Sequence, residues 1–130
     1  MITLITGLPH SGKTTYAAKY ENVIHLDTVP HQTIVDQIDN CCDILKAMNG
    51  DIVVEGVFYK ADQRKKILDA LKDCEGERVC VFIDTPLEVC LSRPSEGRSP
   101  VMIRNRAAHF EAPTEDEGWD EIIHITEEST

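Results

Sequence analysis

No apolar run in this chain approaches the roughly 20 residues that a helix needs to cross a bilayer. The apolar start, Met1 to Leu8, has no basic leader and runs straight into a glycine-bearing motif, which argues against a signal peptide. No C-x-x-C pair occurs among Cys41, Cys42, Cys74, Cys80 and Cys90. An odd count without metal-ligand spacing points to reduced thiols in a cytoplasmic protein. There is no internal repeat, no low-complexity linker and no composition break. One domain is therefore expected over residues 1–126, with 127–130 as an acidic frayed tail.

Lys and Arg are missing from the last 20 positions altogether. That stretch carries eight acids: Glu111, Glu115, Asp116, Glu117, Asp120, Glu121, Glu127 and Glu128. The whole chain of 130 residues has 13 Lys and Arg against 23 Asp and Glu, a net charge of −10. Such a balance speaks against phosphate-rich partners. The other 110 residues, however, hold 15 acids and all 13 bases, so the acidity is a C-terminal feature. Lys60 to Lys66 and Arg93 to Arg106 are each locally basic, with four bases against one acid.

What is present alternates. Ile2–Thr6, Asn22–Leu26, Asp51–Gly56, Arg78–Ile83 and Ile122–Ile125 read as strands. Lys13–Tyr20, Thr33–Met48, Ala61–Leu71, Thr85-Pro86 to about Arg93, and Val101–Phe110 read as helices, with Thr85 expected as N-cap and Pro86 at the first helical position. Arg93–Pro100 reads as a polar loop. Apolar strands alternating with helices imply an α/β fold, a five-stranded parallel sheet covered on both faces.

The strongest motif is Gly7-Leu8-Pro9-His10-Ser11-Gly12-Lys13-Thr14, a full match to G-x-x-x-x-G-K-[ST] between a strand and a helix. Glycines let the backbone turn so that successive amides face one concavity, and the helix start adds free N–H donors. Lys13 can reach the β- and γ-phosphates of a nucleotide, and Thr14 can offer its hydroxyl to Mg²⁺. Ser11 and Thr15 are candidates for phosphate or metal, and His10 reads as a tolerated loop residue.

No N-K-x-D guanine motif is present, and the chain is short for a motor ATPase, so the small P-loop kinases fit best. Their chemistry needs a carboxylate near the acceptor hydroxyl, an acid for the metal shell and arginines over the moving phosphate. Asp27 ends the second strand, where ligands of α/β sheets bind, and is the candidate general base; capping the turn before Pro30 is its other reading. Glu55 ends the third strand and is the candidate metal-shell acid, with Asp84 at the end of the fourth as the alternative. Arg98, beside Gly97, is the best lid candidate, followed by Arg104, within a run that also holds Arg93 and Arg106. Cys41, Cys42, Tyr16, His25, Met102 and Ile103 read as core. Trp119 and Phe110 read as a hydrophobic clamp under the last strand.

Taken together, GLPHSGKTT, HLDT, DIVVEGVFYKADQRKK, FIDTPLEVCLSR and FEAPTEDEGWDEI resemble the P-loop kinases grouped around the 5′-hydroxyl polynucleotide kinases and related AAA-like ATP-binding proteins of phage and bacteria. The resemblance spans about residues 2–125. It implies a P-loop NTPase fold with a short arginine-bearing lid, ATP and Mg²⁺ on Lys13 and Thr14, Asp27 as base and Arg98 as lid arginine. Arg64 matches a basic position after the third strand. The arginine that such kinases place shortly after the catalytic Asp is replaced here by Thr28, Val29, Pro30 and His31; Lys60, Arg64 or Arg104 are the candidates to stand in. Only 23 residues, Thr28 to Gly50, separate Asp27 from the third strand, which leaves the acceptor side open. The expectation is an ATP-dependent kinase acting on a nucleic-acid hydroxyl, a 5′-OH or a hydroxyl on a modified base. The alternatives are a kinase for a sugar, nucleoside or antibiotic hydroxyl, and a non-catalytic nucleotide-binding module.

Overall fold

The structure is a computed structural model that describes residues 1–93 and 99–126. Arg98, most of the expected lid loop and the tail at 127–130 lie outside the described residues. The elements are β1 (Ile2–Gly7), α1 (Lys13–Ala17), β2 (Ile24–His25), α2 (Ile34–Lys46), β3 (Ile52–Glu55), α3 (Ala61–Ala70), β4 (Arg78–Asp84), α4 (Leu87–Ser92), α5 (Pro100–Ala108) and β5 (Glu121–Thr126). The sheet order is β2-β3-β1-β4-β5, and every pairing is parallel. The register places Ile5 beside Glu55, and Gly7 beside Ile83. The strand ends at Gly7, His25, Glu55 and Asp84 therefore share one edge of the sheet.

Alternation along the strands divides the core in two. Ile2, Leu4, Val54 and Cys80 pack with Ile38, Cys41 and Leu45 of α2, with Ile67 and Leu68 of α3, and with Trp119. Ile5, Val53, Val79, Val81 and Ile83 pack on the opposite face with Ala17 and Tyr16. Helices thus cover both faces, as the apolar strands require. In α2 the buried residues recur at Ile38, Cys41, Cys42 and Leu45, one stripe of a helix capped by Thr33, whose side chain accepts from the Asp36 amide. Burial pushes the thiols of Cys41 and Cys80 up to about 12, so both are neutral packing groups.

Local details depart from the sequence expectation. The first helix stops at Ala17 rather than Tyr20, and the chain turns through Asn22 at φ 56°. The second strand keeps two residues before a 3₁₀ turn over Leu26–Thr28. Leu26 lies so close to Gly56 that a Cβ there would meet it at 2.6 Å. The fourth helix starts at Leu87, with Pro86 outside it at ψ 145°. Thr85 does not cap it, because its hydroxyl donates to the Ser11 carbonyl at 2.6 Å.

Part of the acidic C-terminal stretch is absorbed by the fold. Glu111 Oε1 accepts from the Ala61 amide at the start of α3, and Asp120 Oδ2 accepts from the Arg78 amide at the start of β4. Glu117 takes Nε and Nη2 of Arg64 in a bidentate pair at 2.8 and 2.9 Å, and accepts from Trp119 Nε1 at 3.0 Å. The described residues include no helix long and apolar enough to cross a membrane.

Candidate active site

The phosphate loop leaves β1 at Gly7. A Cβ on Gly7 would sit 2.6 Å from the Ile83 carbonyl and 2.7 Å from Ser11 Oγ, so the residue has no room for a side chain. Gly12 takes φ 106°, a left-handed conformation that glycine adopts without strain. His10 takes φ 66° in the same loop. Lys13, the first residue of α1, is buried, and its Nζ donates to the Leu8 carbonyl at 2.7 Å across the loop. Two further donors hold the loop from outside: Thr85 on Ser11, and Arg93 Nη1 on the His10 carbonyl at 2.7 Å. Ser11 Oγ is buried with no hydrogen-bond partner among the described residues. Thr14 and Thr15 are exposed at the helix start.

This loop forms the floor of a cleft of about 940 Å³. Asp27, Glu55, Thr14, Arg93 and Arg106 all line it. Asp27 sits in the 3₁₀ turn after β2, and the turn is fastened by the Thr28 hydroxyl donating to the His25 carbonyl at 2.7 Å. Glu55 ends β3, is 4% exposed, and has its Oε1 2.8 Å from His25 Nδ1. In sheet order β3 lies between β2 and β1, so the two acids and the loop follow one another across the cleft.

Several sequence expectations shift here. Arg104 is exposed and does not line the cleft, whereas Arg106 does, together with Met102 one turn earlier on α5. Arg106 lies over the Tyr59 ring at 4.6 Å, and Lys60 Nζ is 5.9 Å from the same ring. Arg64 is not available to an acceptor phosphate: it is 0% exposed, paired with Glu117, and donates Nη1 to the Phe58 carbonyl at 2.7 Å. Asp84 does not line the cleft; its Oδ2 pairs with His124 Nε2 at 2.7 Å at the exposed β5 edge. His25 is not core, since its side chain is 36% exposed and engages Glu55. Met102 is likewise half-buried at the cleft. Trp119 is buried in the core, while Phe110 stacks on Phe82 at 5.3 Å.

His25 and Tyr59 are therefore the residues at the site that motif reading passes over. Arg93 and Arg106 belong to the visible arginine run, but their direction depends on the fold. Tyr59 and His25 carry no local signal.

No family model matches the sequence. The L-seryl-tRNA(Sec) kinase of Methanococcus maripaludis is 20% identical over a 153-residue alignment covering all of this chain and 60% of that protein. The chain thus spans about three fifths of that relative's length. Among solved structures, Chaetomium thermophilum Kti12 in complex with ADP-AlF3 superposes with a TM-score of 0.78 at 16% identity, covering 100% of this chain and 91% of that one. The Mycobacterium tuberculosis APS kinase CysC, in complex with AMPPNP and APS, gives 0.72 at 20% identity, with 99% and 89% covered. The chain has a P-loop kinase-like fold. The likeness is to that fold and does not single out polynucleotide kinases.

Proposed function

We propose that this chain is an ATP-dependent kinase that transfers the γ-phosphoryl group to a hydroxyl carried on a nucleic acid. The observation that carries the reading is that the phosphate loop, Glu55 and Asp27 open in that order onto one cleft. A nucleotide fits the loop: the orphaned Ser11 hydroxyl, the side-chain-free Gly12 and the inward Lys13 leave a polar cradle suited to phosphate oxygens. Mg²⁺ fits hard oxygen donors, and among those that line the cleft Thr14 and Glu55 would hold it. When bound, Mg²⁺ neutralises charge on the β- and γ-phosphates.

In this reading the loop amides and Lys13 hold the phosphates. Asp27 accepts the proton of the attacking hydroxyl. Arg93, already over the loop, and Arg106 across the cleft stabilise charge on the moving phosphoryl. Arg98 keeps its sequence-based role as lid arginine. The acceptor side supports a nucleic acid through Tyr59, which lines the cleft with the Arg106 guanidinium 4.6 Å from its ring. The alignment over all of this chain and 60% of a kinase named for seryl-tRNA adds support.

A small-molecule acceptor is the second reading. Among the described residues lining the cleft, the Lys and Arg side chains are Lys13, Arg93 and Arg106, which leaves one cation for the acceptor side. Incubation with γ-labelled ATP, separately with 5′-hydroxyl oligonucleotides, tRNA and a panel of sugars and nucleosides, decides between them. Label is expected on a nucleic acid and to fall by about 10²–10⁴ in Asp27→Asn, with nucleotide affinity retained. Label on a metabolite alone overturns the acceptor, and an unaffected Asp27→Asn variant overturns the base.

A further inference from the structure

Glu55 is a carboxylate taken almost wholly out of water, with its side chain 5% exposed. Burying such a group without a hydrogen-bond partner is costly. The parallel register sets His25 directly beside Glu55 at the ends of β2 and β3. Side chains at paired positions leave the sheet on the same face. Nδ1 of His25 lies 2.8 Å from Oε1 of Glu55. An ionised carboxylate only accepts, so the chemistry assigns the hydrogen to Nδ1. Oε2 has no hydrogen-bond partner among the described residues, and Glu55 lines the cleft whereas His25 does not.

We infer that His25 is a positioning residue that holds one oxygen of Glu55 from behind and leaves the other directed to the metal-bearing side of the cleft. This rests on reading Glu55 as the acid that serves Mg²⁺. The same residue anchors the neighbouring turn, because its carbonyl accepts from the Thr28 hydroxyl and Asp27 lies within that turn. One two-residue strand thus sets the orientation of the metal-side acid and the placement of the base. Residues that orient a ligand to a metal without touching it usually change metal affinity by about 10- to 100-fold when removed.

The test is calorimetric titration of ADP, in EDTA and then with Mg²⁺, into the wild type, His25→Ala and His25→Asn. In the wild type Mg²⁺ is expected to tighten ADP. His25→Ala is expected to lose about tenfold of that tightening, with ADP affinity in EDTA unchanged. His25→Asn, whose amide nitrogen can take the place of Nδ1, is expected to restore most of it. If His25→Ala melts below the assay temperature, His25→Leu fills the space without a donor and takes its place. Full tightening in the donorless variant overturns the inference, and so does an Asn variant as weak as Ala. A wild type that binds ADP with no response to Mg²⁺ overturns it together with the metal role of Glu55, and no nucleotide binding at all removes the kinase reading itself.

Discussion

Positions 104 and 106 lie about 200° apart on an α-helix, so they cannot both face one cleft. The structure resolves the choice in favour of Arg106, which lines the cleft, while Arg104 points to solvent. Arg106→Ala is therefore expected to lower kcat/KM by about tenfold or more, and Arg104→Ala to leave it near wild type. Steady-state rates with ATP and the labelled acceptor check this, and the reverse ranking would count against the cleft geometry. The arginine cluster was legible in the sequence, but its facing was not. Within α5, Val101 is 74% exposed, Met102 half-buried and Ile103 buried, so no clean apolar stripe marks the packed side. His25 was unreadable for a related reason. Its partner Glu55 lies 30 residues away, and their meeting depends on the register of two strands.

At the scale of elements, the junction of β1, loop and α1 was readable in eight residues because its chemistry is local. What braces it was not. Thr85 reads as a helix cap beside Pro86, yet its hydroxyl serves Ser11, 74 positions earlier, since β4 lies against β1. The strand ends therefore act as the frame of the loop rather than as separate caps. Gly7 tests that frame. An added methyl group meets the Ile83 carbonyl, which is backbone and cannot rotate aside. Gly7→Ala is expected to lower the melting temperature and to abolish nucleotide binding, read by thermal denaturation with and without ADP. A variant that melts lower but still gains full stabilisation from ADP would show that the loop tolerates the shift.

For the molecule as a whole, the acidic terminus that governs the net charge also closes the fold. Arg64 and Glu117, 0% and 5% exposed, join α3 to the segment before β5. Burial pushes the Glu117 carboxyl up, but hydrogen bonds from Arg64 and Trp119 outweigh it and hold it below the ordinary carboxylate value. A depressed carboxyl contributes stability above its unfolded pKa, and that contribution is lost as pH falls through the folded value. Glu117→Ala is expected to cost about 3–5 kcal/mol, because it strands a buried guanidinium. Glu117→Gln is expected to flatten the acid limb of stability against pH, checked by urea melts from pH 7 down to pH 3. An unchanged acid limb would show that other carboxylates set it. The all-parallel sheet has a consequence in time. Its central strand, ITLITG, is fully buried and uncharged, and its two neighbours are β3 and β4. During synthesis at about 5–20 residues per second, roughly 80 residues must follow β1 before β4 exists to cover it, an interval on the order of 4–15 s. Until then the nascent chain carries a β-prone segment with at least one edge unpaired, of the kind that self-associates. The strand that seats the phosphate loop is thus also the one whose safe delivery depends most on what is waiting at the ribosome.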